Sequence, residues 1–189
     1  MDNPEIIKKL LMMVSQWNKK RMEIYLEEKI DLLIRRAWYE GTELWSPTLY
    51  KNLIAPFLKQ EIDLTHQAGA KFGYIITSGT LPLLEDFFDL GIDVIIGVDP
   101  LMGNWGDLKE LKERVNGKIS LWGGVNGFLT IERGKKEDVE KAVLDAISNL
   151  GESGGFILSP VDNVTDTSQQ TWENVKTMID VWKENRSIY

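Results

Sequence analysis

The chain has 189 residues, 43% of them hydrophobic and 27% charged, which is enough apolar material for one sizeable core. The formal charge is −7 and no basic run occurs, which argues against a nucleic-acid partner; there is no cysteine, which excludes disulfides and thiolate metal sites. No apolar run approaches the roughly 20 residues of a membrane span and the N-terminus shows no signal-peptide pattern, so a cytoplasmic protein is expected.

The first predicted element is a helix. Asp2 or Asn3 serves as its cap and Pro4 suits its first turn. Ile7, Leu10, Leu11, Val14 and Trp17 fall at helical spacing, and the pattern extends through Met22, Tyr25 and Leu26. Ile30–Trp38 reads as a strand. Ser46 then caps a helix running to Gly69, with Pro47 in its first turn and a kink expected at Pro56. After it, strands are expected over 71–79, 92–100, 118–127 and 154–161. Helices are expected over 81–91, 107–117, 135–151 and 168–185. Apolar strand runs alternating with amphipathic helices indicate parallel strands joined by helical crossovers. No low-complexity linker interrupts the series, so residues 1–189 are expected to form a single α/β domain. An open doubly wound sheet and part of a (β/α) barrel both fit, since five strands do not close a barrel of eight.

Both architectures place ligands beyond the carboxyl ends of the strands. Every such end here carries a carboxylate, hydroxyl or amide. They are Glu40 and Glu43 with Trp38 and Trp45; Ser78; Asp99 with Trp105; Asn126 with Trp122; and Asp162 with Asn163. Any one of these residues serves as readily in a turn or a helix cap. Five ends together point to one active face. Glu40 and Glu43 lie among aromatics, where a carboxylate can act as acid or base. Asp99 and Asn126 are read as substrate contacts, with Ser78 and Asn163 beside them. The four tryptophans are read as lining an apolar mouth, core filling being the alternative for Trp38 and Trp122. Trp17, Trp172 and Trp182, on helices, are read as packing. "GGVNG" permits close backbone approach but lacks the residues of a phosphate loop. His66, the single histidine, sits near a helix end and is read as structural.

Several stretches, "LWSPTLYKNLIAPFLKQ", "GYIITSGTLPLLEDFFDLGIDVIIGVDP", "KISLWGGVNG" with "RGKKEDVEKAV", and "GGFILSPVDNV" with "TWENVKTMIDVW", follow one another at familiar spacing. In order and spacing the chain resembles the C-terminal half of the uroporphyrinogen decarboxylase superfamily. The resemblance implies a partial (β/α)8 barrel, about strands four to eight with their helices, the N-terminal part being missing. It implies one of two enzymes. The first is a methyltransferase that moves a methyl group from a small substrate, an aromatic one among the candidates, to a corrinoid protein. The second is the cofactor-free decarboxylase of porphyrin biosynthesis. The methyltransferase branch commonly uses zinc; the slots of its usual ligands here hold Ile76, Ser78 and Asp162. Asp162 is then a candidate ligand or base, with Glu40 or Glu43 beside it. A third expectation is non-catalytic, a half-barrel that forms a homodimer or pairs with a missing N-terminal half.

Overall fold

In the computed structural model, residues 4–186 are described, so the Asp2 or Asn3 cap lies outside the described residues. Helix α1 (Pro4–Glu27) leads into strand β1 (Leu32–Arg36). A short α2 (Pro47–Leu49), a π-helical turn (Tyr50–Ile54) and α3 (Ala55–Gln67) follow in one run. Next come β2 (Lys71–Ile75), α4 (Leu84–Leu90), β3 (Val94–Val98), α5 (Leu108–Val115) and β4 (Ser120–Asn126). A second π-helical turn (Gly127–Glu132), α6 (Lys136–Leu150), β5 (Phe156–Val161) and α7 (Gln169–Asn185) complete the order.

The five strands are all parallel and lie in sequential order, β1-β2-β3-β4-β5. This order decides between the two expected architectures. A doubly wound sheet reverses direction at a switch point. Here every crossover steps the same way, and right-handed crossovers then put every helix on one side of the sheet. The result is the wall of a barrel, of which five strands are present.

The register sorts the side chains into rows. Arg35, Tyr74, Ile95, Leu121 and Phe156 align across the sheet and face the helices. Tyr74, Ile95 and Leu121 are fully buried there, with Phe72, Phe87, Leu58 and Ile62. A second cluster, Val125, Ile131, Val139, Val143 and Ile147, lies under α6 and α7. The alternate row, Arg36, Ile75, Ile96, Trp122 and Ile157, faces the other way. In a closed barrel that face is the packed interior. Here Ile157 is 43% exposed, and Ile34, on the same face, is 42% exposed.

Local chemistry explains where the elements depart from expectation. Pro56 cannot donate to a carbonyl four residues back, and its ring crowds that carbonyl. The chain opens into a wider turn, in which the Ala55 N–H bonds to the Tyr50 carbonyl five residues back. Ser46 caps the run as read, accepting from the Leu49 N–H at 3.3 Å. Three helical tryptophans are not core residues: Trp17, Trp172 and Trp182 all stand exposed. Trp17 and Trp182 are instead covered by their own arginines, Arg21 at 4.5 Å and Arg186 at 5.1 Å from the ring centroids. In α1 the buried face is Met22 and Leu26, with Leu11 partly buried, while Leu10 and Trp17 point outward.

Candidate active site

The loops that follow the strands are tied together in pairs at the carboxyl edge. The loops after β1 and β2 meet backbone to backbone. Thr42 donates to the Gly79 carbonyl through both its N–H and its hydroxyl, each at 2.9 Å. A Cβ on Gly41 would lie 2.4 Å from the Ser78 carbonyl oxygen, so the approach demands glycine. Above this junction the Ser78 hydroxyl donates to Glu43 Oε2 at 2.8 Å. Glu43 is exposed and Ser78 half-buried, leaving the carboxylate open to a ligand.

The loops after β3 and β4 are joined by a buried pair. Asn126 Nδ2 donates to Asp99 Oδ2 at 2.7 Å. Asp99 Oδ1 accepts from the N–H groups of Leu101 and Met102, and Asn126 Oδ1 accepts from that of Leu129. Both side chains are buried and satisfied, so they shape the loops rather than present free groups. The close approach that "GGVNG" permits is made to the protein itself. Gly123, at φ +144°, would set a Cβ 2.6 Å from the Val98 carbonyl oxygen; Gly124 would set one 2.9 Å from Ala146 Cβ.

Beyond β5, Asp162 takes a left-handed conformation, φ +64°, and both Asp162 and Asn163 are exposed. The loop they begin is clamped by Glu132, a residue not singled out in the sequence. Its carboxylate accepts from the N–H groups of Thr165 at 2.5 Å and Asp166 at 3.1 Å. Those two donors hold the Glu132 carboxyl below its usual range. Asp166 in turn accepts from the hydroxyls of Ser168 and Thr171 at the start of α7, and its pKa is lowered by them.

Glu40 is placed elsewhere. Its carboxylate turns under the sheet, ion-paired with Arg35 and accepting from the Tyr74 hydroxyl at 2.5 Å. Arg35 also pairs with Glu61 at 2.5 Å, and Tyr50 and Tyr74 share a hydroxyl contact of 3.3 Å. Burial alone would lower the Arg35 pKa, but Glu40 and Glu61 outweigh it and the guanidinium stays charged. The Tyr74 and Tyr50 phenols are pushed up, chiefly by burial. Both Glu40 oxygens are thus occupied on the helix side of the wall.

The tryptophans divide differently from the reading. Trp105 is buried and its indole N–H donates to the Gly97 carbonyl at 3.2 Å, filling the bulge in β3. Trp45 packs against the core and donates to the Tyr39 carbonyl. Trp38 is exposed under Arg36, 4.1 Å from its ring centroid, and half-buried Trp122 stands in the inner row. His66 lies near the end of α3, hydrogen-bonded to Asp93 at 2.7 Å. Thr80, after β2, carries a buried hydroxyl with no partner among the described residues.

The donor set does not fit zinc. Ile76 is fully buried and offers no ligand atom, and among the described residues no three His, Cys, Asp or Glu side chains are grouped to hold a metal ion. No helix among the described residues is long and apolar enough to cross a membrane.

No family model matches the sequence, and no curated protein matches it. Among solved structures the chain is similar to a methyltransferase from Methanosarcina mazei, with a TM-score of 0.70 and 18% identity. The similarity covers 89% of this chain and 47% of that one, so the chain spans about half the length of its structural neighbour. At this identity the likeness establishes the fold, a parallel α/β partial barrel.

Proposed function

We propose that the chain is the later part of a methyl-transferring barrel enzyme of the uroporphyrinogen decarboxylase superfamily. One observation carries the reading. Five sequential parallel strands deliver their loops to one edge, and there Glu43 with Ser78, and Asp162 with Asn163, stand open in a fold shared with a methyltransferase. The substrate is a small methylated compound held beside exposed Trp38, whose ring Arg36 covers, and half-buried Trp122. As the methyl group leaves, the heteroatom left behind takes a proton, which Glu43 or Asp162 supplies as general acid. Ser78 orients the Glu43 carboxyl. The buried Asp99–Asn126 pair and the Glu132 clamp fix the loops on which these groups ride. The acceptor is a corrinoid carried by a partner protein. No step is assigned to zinc, because the side chains do not provide its ligands.

The test uses the completed barrel with a methoxylated aromatic as donor and reduced corrinoid as acceptor, followed by absorbance. Asp162→Ala and Glu43→Gln are expected to lower turnover by about 10²-fold. Unchanged turnover in both variants removes the assignment. Conversion of uroporphyrinogen to coproporphyrinogen in the same preparation would transfer it to the decarboxylase. A non-catalytic half-barrel is the second reading. It is favoured by Glu40, Asp99 and Asn126 having their polar atoms engaged within the fold, and inactivity of the completed barrel in both assays would select it.

A further inference from the structure

Arg36 ends β1 at the carboxyl edge, in the inner row with Ile75, Ile96, Trp122 and Ile157. It is the one charged member of that row. Its guanidinium lies over the Trp38 ring, 4.1 Å from the centroid, and its side chain makes no hydrogen bond or ion pair among the described residues. Two carboxylates stand in the same loop, residues 37–46, and both are engaged elsewhere. Glu40 goes to Arg35 and Tyr74, and Glu43 accepts from Ser78. The sequence holds 29 Asp and Glu against 22 Lys and Arg, so a carboxylate for Arg36 is not wanting in the chain.

Three other arginines cover aromatic rings: Arg21 on Trp17, Arg186 on Trp182 and Arg133 on Phe128. They lie in α1, at the end of α7 and after β4, outside the inner row. An arginine facing bulk water needs no partner. Arg36 instead stands on the face where a ligand would exclude water, and there an unpaired guanidinium demands an anion. Stacking on Trp38 covers the flat side of the guanidinium and leaves its N–H edge free, which matches the two oxygens of a carboxylate. A single negative charge suits the site better than the two of a phosphate. One cation is present, Glu43 is in the same loop, and the whole chain carries −7.

The row also says what the carboxylate is attached to. Half-buried Ile75 and Ile96 lie between Arg36 and Trp122. With strands about 4.8 Å apart, these two side chains form an apolar strip roughly 14 Å long between the guanidinium and the indole. One aromatic ring with its substituents fits that length. The β2 strand that carries Ile75 leads on to Ser78, the partner of Glu43.

We infer that Arg36, stacked on Trp38, is a carboxylate-binding residue, and that the ligand of this face is an aromatic carboxylic acid lying over Ile75 and Ile96. The methyl group of that acid rests on the function proposed above; the carboxylate contact does not.

The experiment titrates 4-methoxybenzoate onto the 189-residue chain and follows the ring protons by NMR. Saturable binding is expected. Replacing the carboxylate with the neutral amide, in 4-methoxybenzamide, should weaken it by at least about tenfold, the loss expected for a charge-assisted pair. Arg36→Gln should do the same. Arg36→Lys, which keeps the charge but loses the paired N–H edge, should restore only part of the affinity. Arg186→Gln, at the end of α7, should leave binding unchanged. Arg36 is exposed and bonds to nothing but the Trp38 ring, so the variants should melt with the parent chain. Absence of binding, equal binding of acid and amide, or binding indifferent to Arg36→Gln overturns the inference. Tighter binding of 4-methoxybenzenesulfonate overturns the choice of a carboxylate. Binding is read without turnover. An acid that binds through Arg36 yet gives no methyl transfer in the completed barrel sinks the catalytic reading and leaves this one standing. Methyl transfer that proceeds equally well from the amide does the reverse.

Discussion

Arg35 lies between two carboxylates beneath the sheet, and that position makes it the most consequential single side chain of the wall. Glu61 is buried and Glu40 nearly so. Removing the guanidinium leaves two uncompensated anions in an apolar setting, which costs about 3–5 kcal/mol for a buried pair. Arg35→Ala should therefore lower urea-unfolding stability by about 3 kcal/mol, and Arg35→Ala with Glu40→Gln and Glu61→Gln should recover part of the loss. A loss below about 0.5 kcal/mol would mean the network is solvated. A second residue, Asp93, carries a pH dependence. Burial would raise its pKa, but Lys71, the Phe72 N–H and His66 together hold it low. A carboxyl depressed in the folded state stabilises the fold above its unfolded pKa, and the contribution disappears as pH falls through the folded value. The melting-temperature gap between the parent chain and Asp93→Asn should be full above about pH 5 and close below about pH 4. Both residues show what the sequence withheld. That Glu40 sits among aromatics is visible in the chain. That its partners are Arg35 and Tyr74, on the far side of the wall, depends on the pairing of β1 with β2, which sets Tyr74, 34 positions from Glu40, beside Arg35.

Among the elements, β4 is the one whose sequence and geometry are most tightly bound. It holds Gly123 and Gly124 in consecutive positive-φ conformations, where the backbone crosses the bulge at Gly97 and passes α6. The Cβ of Gly123→Ala would meet backbone rather than a movable side chain, so overpacking adds to the strain of the dihedral. That substitution should cost more than about 2 kcal/mol, whereas Gly117→Ala, at φ +72° in open space, should cost about 1 kcal/mol from the dihedral alone. Equal losses in denaturant titration would show that β4 can shift. Strand and helix identities were legible here because period-two and period-3.6 patterns are local. The π-helical turns were not. The one before α3 follows from Pro56, a signal present in the chain and read only as a kink. The one after β4 closes on Glu132, whose partners Thr165 and Asp166 lie more than 30 residues further on.

At the scale of the molecule, an incomplete barrel makes a prediction about where stability resides. The central strand β3 is paired on both sides, while β1 and β5 are each paired on one side only among the described residues. Amides on an open edge exchange through local fraying, and those at the centre through global unfolding. In the chain alone, hydrogen exchange should be slowest in Ile95 and Ile96 and markedly faster along Leu32–Arg36, although both strands are equally long. The inner row sharpens the contrast. Ile34 and Ile157 retain roughly two-fifths of their surface in water, so Ile34→Ser should cost well under the ~3 kcal/mol of a fully buried isoleucine. Closing the barrel reverses both results: β1 amides gain protection, and Ile34→Ser becomes as costly as a core substitution. If β1 already exchanges as slowly as β3 in the chain alone, its edge is protected without a further strand and the contrast drawn from the open sheet fails.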